Sequence, residues 1–333
     1  MIRYILKKAF LMVSVFFVVV SVTFFIAHIL PGDPISLWVG EHPTKEQIKT
    51  AQKELGFDQP KTIQFYRFIK NLLKGDMGIS LRTRQPVIEE LRARFLATQE
   101  LVTISMFFAL SIGFPLAVIT ILKEGKAIDT LIRVLGYVGM SFPVFWLGML
   151  LQIIFFGLLG WLPLQGRLSG DFSVAISSGS VFINSILSGD WNLLLDAIMH
   201  ATLPVLTMTI CITGIVIRTS RSALVNTMNE PYFLTYKSFG FTDFEIIKKS
   251  SYKNTLVPVS TILGLLYGMM LGGTFFIESI FDWPGLGHFG VLSITTGDFP
   301  SIIGVTILYS TSYILINFII DILYFIIDPR TRI

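Results

Sequence analysis

Six runs of apolar residues constrain this chain more than any other feature. They cover roughly residues 9–30, 101–122, 135–160, 197–220, 256–280 and 302–327. Each is long enough to cross a hydrocarbon layer of about 30 Å as a helix. Only 14% of the 333 residues are charged and 53% are hydrophobic, with 29 Phe, whereas a soluble domain averages about 25% charged residues. One core cannot hide that much apolar surface. The expected fold class is an all-α polytopic membrane protein with six transmembrane helices. The first run follows the basic lead MIRYILKK and ends in HILPGDP without an A-x-A site. It is longer than the apolar core of a secretory signal, so an uncleaved anchor is expected.

Lys and Arg in the loops set the orientation. With the N-terminus inside, residues 1–8, 123–134, 218–253 and 328–333 lie in the cytoplasm and hold 14 of the 26 basic residues. The short outside loops, 161–196 and 281–301, hold one, Arg167. The other 11 lie in the long 31–100 loop, and long loops translocate largely regardless of charge. The expectation is N-in and C-in. The net charge of +4 reads as this topology signal, and no nucleic-acid partner is expected.

Residues 31–100 carry helical patterning outside the spans. TKEQIKTAQKELG opens with a capping-box spacing at Thr44 and Gln47, places Ile48, Ala51 and Leu55 on one face, and stops at Gly56. QPKTIQFYRFIKNLLKG repeats the plan, with Pro60 at its start, Ile63, Phe65, Phe68, Ile69 and Leu72 as an apolar face, and Gly75 at its end. Two short helices packing on the outer mouth are expected. The Gly/Ser-rich 161–196 stretch suits a surface loop with one helix along the membrane face.

Motifs for chemistry are missing. The sequence has no GxxxxGK[ST] phosphate loop, no HExxH, no GxSxG elbow and no GxGxxG after a strand. The lone Cys211 sits in an apolar run and reads as a buried, inert thiol. His28, His42, His200 and His288 do not cluster and read as interfacial or hydrogen-bonded side chains rather than ligands. Glu278 and Asp321 fall inside spans, where ionisable groups are functional candidates. Both lie near an interface, where a cap or snorkelling suffices. No enzymatic activity, metal or cofactor is expected in this chain.

Between the fourth and fifth runs stands NEPYFLTYKSFGFTDFEIIKKSSYKNTLVP. Asn229 is a candidate cap for a helix starting at Glu230 and Pro231, and Gly240 suits a left-handed C-terminal stop. Thr242 and Glu245 form a T-x-x-E capping box, with Phe241 and Ile246 as a hydrophobic staple. Lys248, Lys249 and Lys253 then sit near the negative end of a second helix, before Pro258. The pattern predicts a helix–Gly–helix elbow with an exposed tip of Tyr232, Phe233, Tyr236, Phe239 and Phe241. Such an elbow fits either a connector lying on anionic lipid or a knob docking into a protein.

This elbow, with Gly240 ahead of Pro258, resembles the cytoplasmic loop of ABC importer permeases, and more closely the B-type permease of dipeptide, oligopeptide and nickel importers. HILPGDP, ELGFDQP, KGDMGIS, TRQPVIEEL, SFPVFWLGMLL, GWLPLQGR, HATLPVLTM, RTSRSALV, ESIFDWPGLGHF and DPRTR agree in order along nearly the whole chain. The resemblance implies a type-I ABC importer fold. Its expected parts are a first transmembrane helix at 1–30, an extracytoplasmic helical region at 31–96, and an ABC transmembrane type-1 domain at 97–328 with a coupling loop at 221–255. It further implies a second permease, two ABC ATPase subunits that use ATP and Mg, an extracytoplasmic solute-binding protein and a prokaryotic inner membrane. By carry-over, Tyr232, Thr235, Tyr236, Lys237, Gly240, Phe241 and Asp243 would meet an ATPase groove. Leu234-Thr235-Tyr236 stand where the general family loop has Glu-Ala-Ala. Peptides are the expected cargo, with nickel or another small solute as the alternative. A secondary transporter without ATPase partners is the rival class; it would need inverted repeats or broken helices lined with ion ligands.

Overall fold

The computed structural model describes residues 2–27, 34–40, 43–170 and 179–327. His28, His42, most of HILPGDP, the middle of the 161–196 loop and the closing DPRTR lie outside the described residues. Among the described residues the chain is helical, with an isolated bridge between Ile79 and Pro86 and no strand. Helix α1 spans Ile2–Ala27, followed by α2 (Pro34–Val39), α3 (Lys45–Glu54) and α4 (Lys61–Leu72). The core is built from α5 (Val87–Leu122), α6 (Ala127–Ser141), α7 (Val144–Gln152) with a π-helical turn at Ile153–Leu158, and α8 (Val181–Ser188). It continues through α9 (Trp191–Met228), α10 (Pro231–Ser238), α11 (Asp243–Ile246), α12 (Tyr252–Ile280), α13 (Leu286–Thr296) and α14 (Phe299–Ile327).

Among the described residues five helices are long and apolar enough to cross a membrane, or six if one bent pair is a single span. The bent pair replaces the straight third span expected over 135–160. At Phe142 the backbone is extended, with φ −79° and ψ 135°, and the helix axes on either side meet at 98°. Pro143 is the cause: its ring clashes with a helical residue before it. Phe142 and Trp146 stack across the bend, ring centroids 4.9 Å apart.

The longest helices run past their apolar sequences. Helix α5 begins at Val87, because Val87 and Leu91 are buried against Leu286 and Phe289 of α13 and Val305 of α14. Glu89 and Glu90 in its first turn suit the positive end of the helix dipole. The main core joins α5, α7, α9 and α12, with Trp283 fully buried and its Nε1–H donating to the Ala97 carbonyl at 3.0 Å. The backbones of α6 and α9 approach closely where Gly136, Gly139 and Gly214 leave room: a Cβ at Gly139 would lie 3.0 Å from the Ile210 carbonyl oxygen.

Both short helices expected in the 31–100 loop form. Thr44 and Gln47 make the complete capping box of α3, and Gly56 takes a φ of +71° just past its end. Phe65, Phe68, Ile69 and Leu72 of α4 pack on Val20 and Phe24 of α1 and on Phe299, Ile303 and Ile307 of α14. Ile63, assigned to the same face by spacing, is instead exposed. Lys8 of α1 pairs with Asp321 of α14 at 2.7 Å, a part-exposed pair near the helix ends.

Glu278 is fully buried. Its carboxylate accepts from the Thr98 hydroxyl at 2.6 Å and from the His288 backbone N–H at 3.0 Å, while Thr98 in turn accepts from the Leu286 N–H. One side chain of α12 thus satisfies the open N-terminus of α13 and ties both helices to α5. Asp298 does the same nearby. It accepts from Ser80 and Ser301 hydroxyls and from the Leu81 N–H, fixing the 78–86 turn to the start of α14.

Candidate functional site

The elbow between α9 and α12 forms, with a different start from that suggested by sequence. Glu230, not Asn229, occupies the N-cap of α10, and Asn229 closes α9 in a helical conformation. Pro231 takes the first helical position, where its missing N–H costs nothing. Gly240 has a φ of +86°. The Gly240 N–H donates to the Lys237 carbonyl at 2.9 Å and the Phe241 N–H to the Tyr236 carbonyl at 3.3 Å. This double closure is a Schellman stop, and it needs the left-handed glycine between its two bonds.

Thr242 and Glu245 then make a full capping box. The Glu245 carboxyl is held below its usual range, first by the Thr242 N–H and then by the Thr242 hydroxyl. The second arm departs from expectation. Helix α11 is only four residues long, and a π-helical turn at Ile247–Ser251 carries it into α12 without a break. Pro258 falls inside that long helix rather than at a boundary. The arm is therefore the first part of the α12 rod.

The aromatic tip is divided. Phe233, expected in the exposed group, is buried with Ile246 and Ile247 against Ile121 and Leu224, the last turns of α5 and α9. It is the root of the elbow. Phe239 is 75% exposed, Tyr236 lies at the surface, and Tyr232 and Phe241 are half-buried. Tyr232, Tyr236 and Phe241 form a chain of edge-on rings, with centroids 6.4 and 5.6 Å apart. Thr235 is exposed, its hydroxyl bonded back to the Pro231 carbonyl at 3.2 Å. Lys237 reaches across Gly240 to Asp243 at 2.9 Å. All seven residues singled out in the sequence lie on this one projection.

Sequence reasoning missed Leu234, 68% exposed, and Phe244, 54% exposed. With Phe239 they give the elbow exposed apolar side chains on both arms. In helices this short, spacing alone gives little signal for which apolar residues face outward.

The other candidates resolve as contacts. His200 Nδ1 lies 2.9 Å from the Asp196 carbonyl, and His288 lies 3.5 Å from Asp282. Among the described residues no three His, Cys, Asp or Glu side chains converge as a metal site.

Residues 109–333 match the family described as binding-protein-dependent transport system inner membrane component, and residues 1–102 match its N-terminal companion. The chain is 37% identical over 310 residues, 93% of its length and 91% of the relative's, to the probable D,D-dipeptide transport system permease protein DdpB of Escherichia coli. It is 33% identical to the dipeptide transport system permease protein DppB of Alkalihalophilus pseudofirmus, covering 100% of both chains. To the glutathione transport system permease protein GsiC of Salmonella typhimurium it is 34% identical, covering 100% of this chain and 99% of the relative. A chain of the MetNI methionine ABC transporter, solved in inward-facing conformations, aligns over 72% of this chain and 96% of its own, with a TM-score of 0.50 and 16% identity. That likeness supports the shared permease fold.

Proposed function

The chain belongs to the family of binding-protein-dependent transport system inner membrane components, and from that premise we propose that it forms half of a peptide pathway whose ATPases dock on the elbow. The observation that carries the docking reading is the build of the elbow: a buried root at Phe233 and Ile246, and a stiff tip that exposes Leu234, Phe239 and Phe244. Exposed aromatic and aliphatic anchors ringed by polar groups suit a protein partner. Peptide cargo rests on relatives named as dipeptide and glutathione permeases; nickel or another small solute stays the alternative.

In this reading residues 1–30, 31–96 and 97–328 serve as first span, external region and transport domain. The chain carries no catalytic residue and no cofactor. ATP and Mg act in two partner ATPases, a second permease completes the pathway, and an external binding protein delivers cargo. The Lys and Arg distribution supports an N-in, C-in chain with the elbow in the cytoplasm. Closure of the ATPases moves the elbow. Because α11 continues into α12 and the root grips the ends of α5 and α9, the push reaches those helices as a rigid shift. Access then alternates between the two sides through differential stability of two states.

Gly240→Pro tests this. Proline cannot adopt a φ of +86° and removes the N–H that bonds Lys237. The variant is expected to reach the membrane and keep its partners, yet to lose coupling between ATP hydrolysis and dipeptide uptake in reconstituted vesicles. Wild-type coupling in that variant would overturn the docking reading.

A further inference from the structure

A second feature lies at the elbow end of the molecule, apart from the exposed tip of Leu234, Phe239 and Phe244. Between α6 and α9 is a cavity of about 280 Å³, lined among others by Arg133, Tyr137, Arg218, Arg221, Ser222 and Asn226. Three guanidinium groups meet there, and two carboxylates face them. Asp129, almost fully buried, accepts from Arg133 Nε at 2.9 Å and Nη2 at 3.2 Å, and from the Gly125 N–H at 3.2 Å. Glu124 accepts from Arg221 Nη2 at 3.0 Å. Arg221 Nε is buried without a hydrogen bond, 3.9 Å from Asp129. Arg218 is exposed and pairs with no acid among the described residues. The pocket therefore keeps one uncompensated positive charge and one buried donor with nothing to bond.

Apolar side chains border the pocket: Val134 and Tyr137 at its α6 rim are 49 and 51% exposed, and Ile217 and Val225 of α9 line its wall. A cationic pocket with apolar side chains at its rim matches an amphiphile with an anionic head. Basic pockets between membrane helices on the cytoplasmic side hold lipid headgroups through the same combination of charge and apolar contact. We propose that the phosphate of an anionic phospholipid occupies the pocket at Arg218 and Arg221, with its acyl chains leaving past Val134 and Tyr137. The lipid comes from the leaflet on the elbow side, which the loop charges place in the cytoplasm. Bound there, it bridges α6 and α9 close to the root of the elbow.

The test is lipid retention by the full-length chain, purified with its partner subunits in a neutral detergent and read by native mass spectrometry. Micelles contain equal amounts of phosphatidylglycerol and phosphatidylcholine with matched acyl chains. The wild type is expected to retain phosphatidylglycerol preferentially. Arg218→Gln, at an exposed residue outside the ion pairs of the described residues, should lower that preference about fivefold, the effect of removing one cationic side chain near an anionic lipid. Arg221→Gln should lower it further, with assembly checked by gel filtration because this residue also bridges to Glu124. Excess inorganic phosphate should leave the lipid in place, because it offers no acyl chains. Equal retention of the two lipids by the wild type would overturn the proposal, as would an unchanged preference in Arg218→Gln. Displacement of the lipid by inorganic phosphate would also overturn it, marking the site as one for a free anion. None of these readouts depends on cargo or on ATP hydrolysis, so they fail or succeed separately from the transport reading.

Discussion

At the α13 end, the bonds that matter join residues far apart in the chain. Thr98 meets Glu278 across 180 positions and Leu286 across 188, and Ser80 meets Asp298 across 218. At the elbow, the organising polar bonds join residues three to six apart: Gly240 to Lys237, Phe241 to Tyr236, Thr242 to Glu245 and Lys237 to Asp243. One end is a tertiary lock whose polar atoms are sealed from solvent. The other is locally stiffened, with only its apolar root buried. A buried polar network is costly to leave incomplete, so the first region holds one packing arrangement. A locally capped projection keeps its own shape while its outer face stays free for a partner.

Substitutions at the two ends should therefore fail differently, and the largest effect belongs to the lock. Glu278→Ala leaves the Thr98 hydroxyl and the His288 N–H without their acceptor, at about 1–3 kcal/mol for each buried group. Melting in detergent should show a large loss of stability, greater than in the elbow variants. A similar melting point for Glu278→Ala and wild type would break the contrast. Gly287→Ala comes next. Its Cβ would lie 2.5 Å from the Phe275 Cα, a backbone atom that cannot yield, and overpacking of this kind costs about 1–3 kcal/mol.

Changes at the elbow should be smaller in stability and larger in coupling. Thr242→Ala removes the cap of α11 and should cost about 1 kcal/mol. Uptake per ATP hydrolysed should fall more than the melting temperature suggests, and an unchanged ratio would count against a mechanical role for the cap. The same box has a pH signature. The Glu245 carboxyl is depressed when folded, so its contribution is present above its unfolded pKa and is lost as pH falls through the folded value. Coupling in Glu245→Gln should be less sensitive to acid than in wild type. Lys237→Ala has the smallest expected effect. Its partner contact is solvent-exposed on both sides, and such pairs contribute no more than about 1 kcal/mol.

The contrast also explains what could be read from the sequence. Local features were legible: both capping boxes, the glycine stops at Gly56 and Gly240, and five of the six apolar runs. Their causes lie within a few residues of each other. The bend at Phe142 was legible in principle from Pro143 but was masked by the apolar residues on both sides. The role of Glu278 was not legible, because its partners come from α5 and α13 and only the packed helices bring them together. Phe233 was misplaced for the same reason. In so short a helix, spacing does not separate the face turned to α5 and α9 from the face turned away.

The bend between α6 and α7 has one further effect. Helix α6 has 15 residues and rises about 22 Å, less than the hydrocarbon thickness of about 30 Å. With the following segment turned by 98°, neither limb alone supplies a full apolar height at this corner. The bilayer beside Phe142 and Trp146 must thin locally or meet another subunit there, at a cost of fractions of a kcal/mol for each Å of mismatch. The protein's circumference is therefore mechanically uneven, tall along α1 and α14 and low at the bend. Membrane thickness then acts on one side of the molecule more than on the other.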